Sequence, residues 1–64
     1  MAGTNYYIAC SFKSRWTYWD GSKFAQHLTS ARRYDDKATI DKVRASLQKL
    51  SPGMTLKIEE VVTP

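Results

Sequence analysis

Residues 35–50 have the hydrophobic spacing of an amphipathic helix. Apolar side chains recur there at intervals of three and four, on one stripe of an α-helix: Ile40, Val43, Leu47 and Leu50. Asp35 or Asp36 can cap the N-terminus, because a short side-chain oxygen accepts hydrogen bonds from the free N–H groups of the first turn. Ser51-Pro52-Gly53 ends the helix. Because a lone helix of this length is marginal in water, we expect its stripe to lie on another apolar surface.

The N-terminal third predicts three strands. Residues 5–13 alternate between the two faces of a strand. One face is more apolar than the other, and we place it inward: Tyr6, Ile8, Cys10 and Phe12. Lys13-Ser14 is a tight connection to a second strand at residues 15–19. Asp20-Gly21 is a two-residue hairpin signal, because both positions adopt positive φ readily. The returning strand then covers residues 22–26.

The phase of the second strand stays open. Trp16 and Tyr18 share one of its faces, and Arg15, Thr17 and Trp19 share the other. The burial ranks of aromatic residues favour Trp16 and Tyr18 as core. Since the two tryptophans lie on opposite faces, we expect one of them to be partly exposed.

The rest of the chain completes an α+β fold. Residues 27–34 predict a short helix or 3₁₀ turn capped by Thr29 or Ser30. Residues 54–62 alternate as a final strand with one buried and one wet face. The predicted order is β-β-β-(short α)-α-β in a single domain of residues 1–64. The three N-terminal strands and the C-terminal strand form a small antiparallel sheet packed on the one main helix, and the last strand is a candidate to pair with the first.

Composition indicates an ordinary globular domain. Charged residues make up 25% and apolar residues 42% of the 64 positions, and the net charge is +4. The single cysteine excludes an intrachain disulfide. No apolar run approaches the ~20 residues of a membrane span, and the N-terminus lacks the pattern of a signal peptide. We therefore expect a soluble cytoplasmic protein with no membrane partner.

Residues suited to catalysis are few, so we expect no enzyme activity. Cys10 and His27 are the one nucleophile–base combination. Cys10 falls mid-strand on the apolar face, where a thiol is a small, inert hydrophobe. One cysteine and one histidine cannot supply the usual ligands of a structural zinc site. The sequence implies no metal, no cofactor and no small-molecule substrate.

Residues suited to binding macromolecules are better represented. Basic residues near the predicted hairpins could form a rim beside exposed rings: Lys13, Arg15, Lys23, Arg32 and Arg33. Trp19 and Asp20 belong to the same candidate partner-binding set, at the hairpin tip. Arg, Trp and Tyr are the residue types that protein interfaces concentrate as hot spots. Basic groups beside exposed rings are also what single-stranded nucleic acid requires.

The chain resembles small proteins encoded by bacteriophages and prophages. The resemblance lies in the tyrosine-rich first strand, the aromatic-Asp-Gly turn and the Ala-Arg-Arg-Tyr step at residues 31–34 before the helix. It implies a virus-encoded accessory protein that acts in the bacterial cytoplasm and binds or inhibits a host factor or defence complex. It names no activity and assigns no site residue.

Three hypotheses follow from these patterns. The first is a non-enzymatic protein-binding module that uses the sheet edge, the Asp-Gly tip and an exposed aromatic. The second is a basic nucleic-acid-binding module. The third is self-assembly into a homo-oligomer through an open strand edge, because nothing in the sequence blocks one.

Overall fold

The computed structural model describes residues 3–63 and contains four strands, a 3₁₀ turn and one α-helix. The strands are β1 (Gly3–Phe12), β2 (Arg15–Trp19), β3 (Phe24–Ala25) and β4 (Thr55–Thr63); the 3₁₀ turn spans Leu28–Ser30 and the helix α1 spans Lys37–Leu50. Every strand pair is antiparallel, and the strands lie side by side in the order β3-β2-β1-β4. The predicted α+β fold and its element order are confirmed.

The core lies between α1 and one face of the sheet. Its buried residues come from β1, α1 and β4: Ile8, Cys10, Ile40, Leu47 and Leu56. Val43 is partly buried and packs against this cluster. The prediction is wrong for the fourth stripe residue, because the Leu50 side chain is 80% exposed. Leu50 is the last residue of α1, at the margin of the stripe, where the chain already turns away.

Both ends of α1 are fixed by hydrogen bonds. Asp36, rather than Asp35, is the N-cap, and its carboxylate accepts from the Ala38 N–H at 3.1 Å and the Thr39 hydroxyl at 2.9 Å. At the other end the Gln48 side-chain amide donates to the Ser51 and Met54 carbonyls at 3.2 and 2.9 Å. These bonds hold the start of β4 against the helix.

The β1–β2 hairpin decides which face of β2 is buried. Lys13 and Ser14 have φ values of 51° and 65°, which makes them a two-residue turn with both residues in the left-handed region. This turn places Phe12 opposite Arg15 and Ser11 opposite Trp16. Trp19 therefore shares the helix side of the sheet with the core residues of β1, and Trp16 lies on the other side.

This register corrects the expectation that Trp16 and Tyr18 are core. Trp16 is 50% exposed, and Tyr18 is half-buried on the side away from α1. Trp19 packs against the core instead, with its ring centroid 5.2 Å from that of Phe24. The expectation that one tryptophan is partly exposed is confirmed.

The β2–β3 connection differs from the predicted turn by one residue. Asp20 pairs with Lys23 through its N–H, and its carboxylate accepts from the Ser22 and Lys23 N–H groups, both at 2.8 Å. Gly21 has a φ of 104°, whereas Asp20 does not have a positive φ. The tip is thus Gly21-Ser22. The strand predicted for residues 22–26 shrinks to two residues because its polar members gain nothing from pairing at the sheet edge.

The segment between β3 and α1 forms backbone hydrogen bonds with β2 and β1. The predicted 3₁₀ turn is present, but His27 precedes it without a side-chain cap, so the capping role of Thr29 or Ser30 is wrong. Beyond it, Arg32 N–H donates to the Trp19 carbonyl, and Tyr34 exchanges two backbone hydrogen bonds with Tyr6 at 2.7 and 2.8 Å.

No helix within residues 3–63 has both the length and the apolar character required to cross a membrane.

Candidate binding face of the sheet

One face of the sheet has no helix on it, and we call it the open face. Because side chains alternate along a strand, the residues of β1 that point away from α1 are the odd-numbered ones. The pairing registers then place partners from β2 and β4 on the same face. Its central members are Tyr7, Ala9, Trp16, Tyr18, Lys57 and Glu59, which together line a shallow hollow of about 210 Å³.

Three rings form an aromatic patch on the open face: Tyr7, Trp16 and Tyr18. The rings of Tyr7 and Tyr18 contact each other at a tilt of 59°, with centroids 6.0 Å apart. Between the strands, Ala9 is opposite Tyr18 on one side and Lys57 on the other, and these long neighbours leave it only 3% exposed. Trp16 is the most exposed ring of the patch, so half of its surface is free for a partner.

Arg33 adds a cation to the rim of the aromatic patch. Its neighbour Tyr34 is paired with Tyr6 and shares the helix side with it, so alternation points Arg33 toward the open face. The guanidinium carbon lies 5.3 Å from the centroid of the Tyr7 ring, within cation–π range. One ring of the patch is therefore already covered in part by a cation of the protein itself.

Lys57 and Glu59 bring both signs of charge to the β4 side of the open face. Their side chains form an ion pair with 3.1 Å between Nζ and Oε1. The lysine is 62% exposed and the glutamate 35% exposed, so solvent screens the pair and it contributes little to stability. The open face is therefore aromatic at its centre and close to neutral along β4.

The structure does not bring the sequence-predicted basic residues into one rim. Lys13 and Arg15 lie at one end of β2, at the β1–β2 turn, where Lys13 Nζ is 5.4 Å from the Phe12 ring centroid. Lys23 lies in the loop at the other end of β2.

The remaining predicted site residues divide between that second loop and the core. Arg32 lies against Gly21, and its guanidinium is 5.5 Å from the Tyr34 ring centroid. Asp20 is engaged in the loop's own hydrogen bonds, which lower the pKa of its carboxyl below the ordinary value. Trp19 packs inward. Of the predicted set, Arg33 alone joins the aromatic patch.

The two residues considered for catalysis, Cys10 and His27, differ in their exposure to solvent. Cys10 is fully buried, and burial raises the pKa of its thiol, although a hydrogen bond with the Thr17 side chain acts in the opposite direction. His27 is exposed beside the 3₁₀ turn. Neither residue lines the hollow on the open face or a second, larger groove beside β4. Residues 3–63 contain no group of three or more His, Cys, Asp or Glu side chains that could hold a metal ion.

Sequence reasoning missed Lys57 and Glu59 as members of this face. Alternation along β4 already placed them on its wet side, but their position relative to Tyr7 depends on the β1–β4 register.

Comparison of the chain with family models, with characterised proteins and with solved structures finds no match.

Proposed function

We propose that this chain is a small non-enzymatic binding protein that contacts a partner protein through the aromatic patch of its open face. The observation that supports the proposal most is Trp16, a large ring left 50% exposed on a sheet face without a helix, one residue into β2 after the β1–β2 turn. Tryptophan and tyrosine lead the residue types that dominate binding energy at protein interfaces. The patch sits on the paired strands β1 and β2, and its Tyr7 and Tyr18 rings already contact each other, so part of it is preformed before a partner arrives.

The charges of the open face favour a protein over nucleic acid as the partner. A single-stranded nucleic acid needs cations along its backbone and free ring faces for its bases. Here Lys57 is paired with Glu59, and Arg33 occupies one side of the Tyr7 ring. The other predicted cations lie at the two ends of β2 or on the helix side. A face that is aromatic at its centre, neutral along β4 and bordered by one arginine has the composition of a protein interface.

The setting we propose is that of a phage-type accessory protein that binds and modulates or inhibits a bacterial host protein. That setting rests on the resemblance of residues 6–24 and 31–34 to small phage proteins.

A capture experiment with matched variants tests the proposed face. Tagged wild type, Trp16→Ala and Phe12→Ala are each used to capture partners from a bacterial lysate. Phe12 is the control because it is 49% exposed, as Trp16 is, but lies on the opposite face of the sheet one pair away. We expect Trp16→Ala to lose a stoichiometric partner that wild type and Phe12→Ala retain. Equal recovery by all three variants would remove the open face from the binding role.

Titration with a single-stranded oligonucleotide tests the alternative of nucleic-acid binding. Stacking of bases on Trp16 would quench its fluorescence at low salt, and the affinity would fall steeply as salt is added. We expect no such quenching, because the cations are dispersed. Salt-sensitive quenching that is absent in Trp16→Ala would replace the protein partner with nucleic acid.

A further inference from the structure

The outer edge of β4 is a second candidate surface, distinct from the aromatic patch although it shares Lys57 and Glu59 with the open face. β4 is the last strand of the sheet, and within residues 3–63 no other segment pairs with its outer side. The opposite edge of the sheet is β3, which has only two residues. β4 is therefore the one long edge of the described sheet at which another strand could add.

The hydrogen-bonding groups available on that edge follow from the pairing of Tyr6. Tyr6 exchanges both of its backbone hydrogen bonds with Tyr34, on the side of β1 away from β4. Its β4 partner Glu60 is therefore in a pair without hydrogen bonds, so the N–H and C=O of Glu60 point outward. Because this direction repeats at every second residue of a strand, the N–H and C=O groups of Leu56 and Ile58 also point outward.

Three of the usual devices that block an open edge are absent from β4, namely a bulge, proline and a very short strand. The register with β1 runs without interruption from Ser11–Thr55 to Gly3–Thr63, so there is no bulge. The strand Thr55–Thr63 contains no proline and is nine residues long. Charged side chains are a fourth such device, and β4 carries them in Lys57, Glu59 and Glu60, so a partner strand must match those charges. An edge that is long, regular and free of proline is suited to pairing.

We propose that β4 pairs with β4 of a second copy of this chain, antiparallel about a two-fold axis at Ile58. We choose a second copy of the chain as the pairing strand because the charges of two β4 strands match each other. A two-fold axis at Ile58 puts Lys57 of each copy opposite Glu59 of the other, on the open face. An axis at Lys57 or Glu59 would instead place like charges opposite each other, which is unfavourable. The axis at Ile58 is also compatible with the outward-pointing groups, because it pairs Ile58 with Ile58 and Leu56 with Glu60.

The geometry of this pairing favours the charge contacts further. Hydrogen-bonded pairs form at the even positions and contribute two bonds each, so three such pairs give about six bonds across the edge. Lys57 and Glu59 then fall in the pairs without hydrogen bonds, in which opposing side chains lie closest. The Lys57–Glu59 pair of each copy becomes half of a four-charge cluster.

A groove of mixed charge lies beside β4, where the partner's Glu60 would enter. The groove has a volume of about 430 Å³, and its charged lining residues are Lys37, Asp41, Arg44, Lys57 and Glu60. In the proposed register the second copy's Glu60 is opposite Leu56, on the same side of the sheet as this groove. The two copies then form one eight-stranded sheet, with both helices on one side and both aromatic patches on the other.

Charge reversal tests the pairing in solution. Sedimentation equilibrium of wild type up to about 1 mM covers complexes weaker than micromolar, as expected for a small interface. We expect dimers for wild type and monomers for Lys57→Glu and for Glu59→Lys, each of which opposes like charges. An equal mixture of the two single variants, or the double variant K57E/E59K, should restore dimers at least tenfold more strongly than either single variant. Circular dichroism checks that all variants fold.

Disulfide cross-linking tests the register. Opposed residues in a pair without hydrogen bonds are close enough for a disulfide, whereas the diagonal positions are not. Under mild oxidation we expect a mixture of Lys57→Cys and Glu59→Cys to cross-link, and each variant alone to remain without a cross-link. Wild type is the control, since its one thiol, Cys10, is buried. A wild type that stays monomeric to about 1 mM, or faster cross-linking of either cysteine variant with itself, would overturn the proposal.

Discussion

The β1–β2 turn stores backbone strain that a single substitution should release. Ser14 has a φ of 65°, and an L-residue in the left-handed region costs about 1–2 kcal/mol. Glycine removes that cost but adds about 0.5–1 kcal/mol of chain entropy to the unfolded state. Ser14→Gly should therefore stabilise the protein by up to about 1.5 kcal/mol, and by about 0.75 kcal/mol at the middle of the two ranges. For a domain of this size, 1 kcal/mol corresponds to a rise in Tm of about 4–8 °C.

Ser22→Gly is the matched control for that substitution. Ser22 lies at the tip of the other hairpin loop, but its φ is not positive, so glycine relieves nothing there. The entropy cost remains, and the control should lose about 0.5–1 kcal/mol. Urea denaturation of the three proteins, with unchanged m-values, gives both free-energy differences. A Ser14→Gly variant less stable than wild type, or no more stable than Ser22→Gly, would refute the assigned turn geometry.

Three further predictions concern α1 and the second loop. Ile40→Ala should lower the free energy of unfolding by about 2–4 kcal/mol because Ile40 is fully buried. Leu50→Ala should change it by less than about 0.5 kcal/mol because Leu50 is exposed. Equal urea midpoints for the two variants would contradict the helix packing. Asp36→Ala should cost about 1 kcal/mol through loss of the N-cap and Asp35→Ala much less, as thermal unfolding can measure. Hydrogen bonds from the loop backbone lower the Asp20 pKa, so its stabilising contribution is present above the ordinary value near 3.8 and lost as pH falls through the folded-state pKa; Asp20→Ala should remove this part of the acid dependence.

The fold was predictable because its main signals are local. The stripe of α1 and the alternation in β1 and β4 follow from residue spacing, and the end of α1 follows from Ser51-Pro52-Gly53. Leu50 was misplaced because periodicity alone does not say how far the sheet extends beneath a helix. The two strand faces of RWTYW look alike by composition, so burial ranks chose the wrong one.

The phase of β2 was nevertheless contained in the turn. A two-residue connection at Lys13-Ser14 requires that Phe12 and Arg15 be opposite each other, and so puts Trp16 opposite Ser11. Turn length, rather than aromatic content, fixes which tryptophan is exposed. Lys57 and Glu59 could not be placed beside the patch in this way, because β1 and β4 are far apart in the chain and no turn sets their register.

The most direct test of the binding role follows the two tryptophans separately when a captured partner is added. Trp16 lies at the open face and Trp19 packs against the core, so their indole N–H resonances report on opposite sides of the sheet. The account predicts that the Trp16 resonance shifts or broadens on titration with the partner while the Trp19 resonance keeps its position. A shift confined to Trp19, or a bound complex that leaves Trp16 unchanged, would contradict it.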